Sequence, residues 1–136
     1  MNDIASLQAL LQPLFPGLLG MELTELGPER VCARLKVRAD LCTVGGTLHG
    51  GAVMAFADTL GAVATFINLP QGARTTTIES KTNFFAAAPA DTTVTAECTP
   101  FHKGKSTMVW QTQIRNEAGK LSAVVTQTQT QMILPA

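Results

Sequence analysis

One acid stands alone in the longest apolar stretch of the chain. Residues 52–67 read AVMAFADTLGAVATFI, and Asp58 carries the only charge among them. Withdrawing a carboxylate from water costs several kcal/mol unless hydrogen bonds or a partner compensate. An acid kept there is a candidate general base or nucleophile, or else a side chain paired with a polar neighbour such as Thr59. Just upstream, Leu48-His49-Gly50-Gly51 opens the same stretch. The first N–H groups of a helix lack internal partners and sit at the positive end of the macrodipole, which suits a developing oxyanion. Glycine there lets a carbonyl approach the backbone closely, although paired glycines also serve plain turn geometry. His49 could polarise a bound carbonyl or anchor the turn. Gly50 and Asp58 lie eight positions apart, ~12 Å along a helix axis. That is too far for one helix to grip a single carbonyl with both. Acting together, they must come from two copies packed about a two-fold axis, with two shared sites.

The elements that must hold these residues follow from hydrophobic period. Ile4, Leu7 and Leu11 predict a short amphipathic helix capped by Asn2 or Asp3, stopped by Pro13 and Pro16, with a loop up to residue 20. Residues 21–26 suggest a short strand. In residues 31–38, Val31, Ala33, Leu35 and Val37 alternate with Arg34, Lys36 and Arg38, the pattern of a half-buried strand. The stretch holding Asp58 reads as a helix apolar on every face, so it is buried in protein or in a membrane. A central acid and the absence of flanking Lys or Arg argue against the membrane. Strands follow over 75–85, 92–99, 107–115 and 121–134, with hairpin turns at His102-Lys103-Gly104-Lys105 and Asn116-Glu117-Ala118-Gly119. Gln127, Gln129 and Gln131 share one face of the last strand. Successive hairpins predict an antiparallel meander, and the helix is the only element apolar enough to cover its inner face. The expectation is a single α+β domain over 1–136, its sheet wrapped around one helix.

Composition narrows the function. The 136 residues carry ten Lys+Arg against ten Asp+Glu, only 15% charged, with 46% hydrophobic. Disorder needs the opposite balance, and duplex nucleic-acid binding needs an excess of basic residues. So little surface charge on a small chain predicts self-association. Cys32, Cys42 and Cys98 form no CxxC pair and no ligand spacing with His49 or His102, so they read as reduced thiols in a cytoplasm. The N-terminus lacks a basic leader.

Leu48-His49-Gly50-Gly51, Asp58 inside an apolar helix, and the Thr-rich strand ending Asn83-Phe84-Phe85-Ala86-Ala87-Ala88-Pro89 resemble the hotdog-fold acyl-CoA thioesterases of the phenylacetate-pathway (PaaI-like) type. The likeness spans roughly residues 30 to 134. It implies a long helix wrapped by a curved antiparallel sheet of five to six strands, homodimers joined edge to edge, and often homotetramers. It also implies hydrolysis of an acyl-CoA thioester to a free acid and coenzyme A, with no cofactor beyond the coenzyme A of the substrate and no metal. By position, Asp58 matches the acid that activates water or attacks the thioester carbonyl. Gly50 matches the N–H that binds the thioester oxygen, contributed by the neighbouring subunit, with His49 and Gly51 beside it. Thr77, or Thr76 if the preceding turn shifts by one residue, falls where a hydroxyl helps orient water. Where the family carries Asn or Gln six residues before the histidine, this chain has Thr43, a shorter donor. Lys81, Arg74, Lys103 and Lys105 are candidates for the coenzyme A phosphates, and Phe84, Phe85 and Trp110 for an acyl pocket.

Two other functions fit the same fold. An enoyl-CoA hydratase or dehydratase needs an acid and a histidine as a close pair, and His49 sits on the wrong side of Asp58 for that. A non-catalytic acyl-CoA-binding module is suggested by Thr43 in place of the amide.

Overall fold

The apolar stretch around Asp58 is a single helix, α3 (Gly50–Phe66), in the computed structural model, which describes residues 2–133. It begins two residues earlier than its apolar run because His49 caps it. His49 is extended (φ −62, ψ 136), and its Nδ1 accepts the Gly51 N–H at 2.8 Å. At the other end Asn68 donates to the Ala64 carbonyl at 2.8 Å and to the Pro28 carbonyl at 3.0 Å. Phe56, Ala57, Leu60 and Ala64 are fully buried against the sheet.

That sheet has six antiparallel strands: β1 (Glu22–Gly27), β2 (Arg30–Lys36), β4 (Thr77–Phe84), β5 (Thr93–Lys103), β6 (Thr107–Arg115) and β7 (Leu121–Thr130), in the order β1-β2-β5-β6-β7-β4. The sheet curved around one helix is the hotdog architecture. Val31, Ala33, Leu35 and Val37 all point inward, as their alternation requires. The simple meander needs correction, because β4 does not pair with β5. The ~25 Å of α3 carry the chain across the sheet, and β4 docks on the far edge beside β7.

Two expected strands are each cut short. A ribbon of β3 (Ala73–Arg74) and β8 (Met132–Ile133) separates from the sheet, because Gln131 turns its N–H to the Ser106 carbonyl at 2.8 Å and ends β7. The expected end of that last strand at Leu134 lies outside the described residues. The hairpin expected at His102 comes later. β5 runs on to Lys103, absorbing Pro100, which has no N–H to give, in a bulge before His102.

The N-terminal segment is more ordered than a helix and a loop. α1 (Ile4–Leu11) is capped by Asp3, whose Oδ1 accepts from the Ser6 N–H at 2.8 Å. A second helix, α2 (Phe15–Leu19), takes Pro16 in its first turn, where a missing N–H costs nothing. Arg38 donates to the Leu18 and Leu19 carbonyls, both at 2.9 Å, closing the end of α2. Gln8 ties α1 to β1 by donating to the Met21 carbonyl and accepting from the Leu23 N–H.

All three cysteines are free thiols. Burial pushes the Cys98 thiol up to about 12 and raises that of Cys32. Because the thiolate is the reactive form, Cys98 is expected to stay unmodified by a disulfide-exchange reagent at neutral pH until denaturant is added. Mass spectrometry of labelled peptides before and after unfolding checks this. Fast native labelling of Cys98 would mean that the β2–β5 core opens.

Candidate active site

Asp58 is half-buried rather than sunk in the core. The Thr77 hydroxyl donates to its Oδ1 at 2.6 Å. Gln127 Nε2 donates to the same Oδ1 at 3.2 Å and to the Asp58 backbone carbonyl at 3.4 Å. Oδ2 has no partner among the described residues. Asp58 also forms part of the wall of a cavity of about 320 Å³, otherwise lined by Leu7, Leu11, Val63 and Phe66 among others. Thus one carboxylate oxygen is anchored, the other has no partner among the described residues, and the residue borders apolar space. Such a group can take a proton from water or attack a carbonyl.

Thr77 reaches Asp58 because of a bulge. Thr77 pairs with Gln129 and Glu79 with Thr128, so Ile78 is the extra residue. Strict alternation from the inward Ser80 would turn Thr77 outward. The inserted Ile78 is 60% exposed and restores Thr77 to the helix side. Thr76 is exposed, and its backbone bonds to Thr130.

The helix start lies about two turns from Asp58, which sits midway along α3. Of its N–H groups, Gly51 donates to His49 Nδ1, while Ala52 and Val53 donate to the His49 carbonyl. Only Gly50 keeps an N–H without an intrahelical acceptor. Gly51 is glycine for a local reason, since a Cβ there would sit 2.9 Å from the imidazole Nδ1. With Nδ1 accepting, the ring proton is on Nε2. Thr43 is exposed at the base of the glycine-rich turn, its N–H donating to the Thr47 carbonyl at 2.8 Å. Within one protomer the structure joins Asp58 to Thr77 but leaves Thr43, His49, Gly50 and Gly51 apart from them.

Several other expectations resolve differently. Trp110 is fully buried, with its ring N–H donating to Thr65 at 2.9 Å, so it belongs to the core and does not line the cavity beside Asp58. Phe84 and Phe85 border a smaller depression of about 230 Å³ beside Leu48, Gly50 and Val53. Lys103 pairs with Glu29, whereas Arg74, Lys81 and Lys105 are exposed. Gln127 was not singled out from the sequence. Its signal was an amide on the same strand face as Ala123 and Val125, a face that had to point at the helix. Among the described residues, no group of three or more His, Cys, Asp or Glu is placed to hold a metal ion. No helix among them is long and apolar enough to cross a membrane.

Residues 45–123, which contain both the capped helix start and Asp58, match the family model of the thioesterase superfamily. The chain belongs to the thioesterase superfamily. A thioesterase from Haemophilus influenzae superposes with a TM-score of 0.93 at 28% identity, over all of this chain and 94% of that one. The proofreading thioesterase EntH of Cronobacter turicensis is 31% identical over 75% of this chain and 74% of its own length. The 1,4-dihydroxy-2-naphthoyl-CoA hydrolase of Escherichia coli is 27% identical over 87% of this chain and 86% of its own. This thioesterase is therefore an enzyme of the thioester-hydrolase class, built on the hotdog fold.

Proposed function

We propose that this thioesterase hydrolyses an acyl-CoA to a free carboxylic acid and coenzyme A, using Asp58 as general base or nucleophile. The observation that carries the reading is the asymmetric carboxylate of a residue that borders an apolar cavity: Oδ1 is bound by Thr77 and Gln127, and Oδ2 has no partner among the described residues. No cofactor enters the scheme. The carbonyl oxygen is received by the free Gly50 N–H of a second protomer, where the helix start favours the negative charge that develops. Self-association is supported by β4, an edge strand of eight residues with one side of its backbone unpaired and with Ile78 and Phe84 exposed. Such an edge is a template for pairing with another copy.

The cavity beside Asp58 suggests which acyl groups are accepted. Its volume lies at the small end of the ~300–1,000 Å³ usual for ligand pockets. The Thr59 hydroxyl on its wall is already spent on the Ala55 carbonyl at 2.8 Å. Leucine, valine and phenylalanine side chains make up most of the remaining wall, and the Thr75 hydroxyl, without a partner among the described residues, can meet one acyl hydroxyl at most, so a second would lose its water without compensation. Unsubstituted aliphatic or aromatic acyl-CoAs of small to medium size are expected to exceed dihydroxylated aromatic ones by about 10–100-fold in kcat/KM. A thiol-release assay across such a panel tests both points. Saturable binding without thiol release would overturn the hydrolytic reading, and a reversed preference would overturn the acyl assignment.

A further inference from the structure

The anchoring of Asp58 uses two residues whose placement makes little sense for packing alone. Gln127 is 1% exposed, on the inner face of β7 between Val125 and Gln129. Its Oε1 is buried with no hydrogen-bond partner among the described residues. An amide left half-satisfied in a core is less stable than an apolar side chain of the same shape. Above it, Gly61 sits one turn after Asp58 in the interior of α3, where glycine weakens a helix relative to alanine. A Cβ at Gly61 would lie 2.2 Å from Gln127 Cδ, 2.3 Å from Nε2 and 2.4 Å from Oε1. Gly61 is therefore the opening through which the amide reaches the helix. Both unfavourable choices meet at one place, since both side-chain hydrogen bonds of Gln127 go to Asp58. Gln129, equally buried two residues on, makes no side-chain hydrogen bond among the described residues, so what distinguishes Gln127 is its bond to Asp58 and the glycine facing it, not the unsatisfied amide alone.

We propose that Gln127 is a positioning residue of this site, holding the Asp58 carboxylate in one orientation from beneath α3, and that Gly61 is glycine to admit its amide. A single donor such as Thr77 leaves a carboxylate free to turn about its Cβ–Cγ bond. Gln127 approaches from a different strand and grips both Oδ1 and the backbone carbonyl of the same residue, so it ties the carboxylate to its own helix. Oδ2 is thereby kept on the substrate side. Small errors in the placement of a reacting group cost large factors in rate without weakening substrate binding.

This inference rests on the hydrolytic role of Asp58, and the test separates the two. Gln127→Met keeps length and volume while removing the donor. It is expected to fold with an unchanged or raised melting temperature and to lose about 10–100-fold in kcat with KM within about twofold. Gly61→Ala, which pushes the amide aside, is expected to show the same split. In a Gln127→Ala background, however, Gly61→Ala should cost nothing further in kcat, because its methyl no longer meets an amide. Asp58→Asn is assayed alongside. If it remains active, the role of Asp58 itself fails. If it is inactive while Gln127→Met keeps wild-type kcat, or loses only KM, the positioning role alone fails. A Gly61→Ala loss that persists undiminished in the Gln127→Ala background overturns the account of Gly61.

Discussion

Asp58→Asn is expected to lower kcat/KM for an acyl-CoA thioester by about 10²–10⁴-fold while leaving the melting curve close to that of the unaltered protein. The reason lies in the two different jobs of the carboxylate oxygens. Asparagine can present its carbonyl oxygen to the Thr77 hydroxyl and the Gln127 amide, which now meet at Oδ1 at 2.6 and 3.2 Å. Its NH₂ group then occupies the position of Oδ2, where it is neither basic nor nucleophilic. The anchor survives and the chemistry does not. Asp58→Ala makes a poorer probe, because it would leave both donors without their acceptor and mix a stability loss into the rate. Near-normal turnover by Asp58→Asn would remove Asp58 from the reaction. A single turnover of the unaltered enzyme in ¹⁸O-water tests the nucleophilic role: label entering the Asp58 carboxylate marks an anhydride opened at the aspartyl carbon, whereas label only in the product acid, with no acyl-enzyme trapped by hydroxylamine, marks a general base.

How far the site can be read from the sequence depends on which physical signal places each residue. Asp58 is legible because a charge in an uncharged helix is conspicuous whatever the tertiary structure. The Gly50 N–H is legible because helix starts are marked by local chemistry, although the capping bond from Gly51 to His49 shows up only in three dimensions. The N-terminal helix and the alternating strand ending at Lys36 rest on the same kind of local period. Thr77 is a harder case. A period of two counted back from Ser80 points it to solvent, and only the bulge at Ile78 reverses that. Bulges depend on what the partner strand needs, which a single strand does not record. Gln127 is harder still. Its face is readable from Ala123 and Val125, which share it and are buried, but that its amide meets Asp58 depends on where α3 crosses β7, which the strand alone does not record. The pairing of β4 with β7 is likewise a non-local choice, which is why an expected meander of neighbours gave way to a crossover. The half-burial of Asp58 is also non-local in origin, because the open cavity at its side is walled in part by α1, from the N-terminal end of the chain.

Gly50→Pro is expected to cost about 10²–10³-fold in kcat/KM, the usual effect of deleting one oxyanion donor. Proline suits this position unusually well. Gly50 is the first residue of α3, where a helix tolerates proline best, and His49 before it already has the extended backbone that proline demands. The substitution therefore deletes the one free N–H at the helix start and leaves the helix itself in place. Gly50→Ala is the control, because its Cβ would meet only the end of the Phe84 ring, at 3.2–3.3 Å, and its N–H remains. Equal losses from the two would mean that crowding, and not the N–H, is responsible. The pair of inactive variants then answers whether the site is shared. If Gly50 of one protomer serves Asp58 of the other, a mixed dimer of Gly50→Pro and Asp58→Asn has one site with both lesions and one site with neither. After subunit exchange in an equal mixture, half the dimers are mixed and activity returns to about a quarter of the unaltered level. If each protomer used its own Gly50 and Asp58, every site would carry a lesion and mixing would restore nothing. Recovery of activity from two dead parents would thus establish the shared two-fold site proposed from the ~12 Å between Gly50 and Asp58.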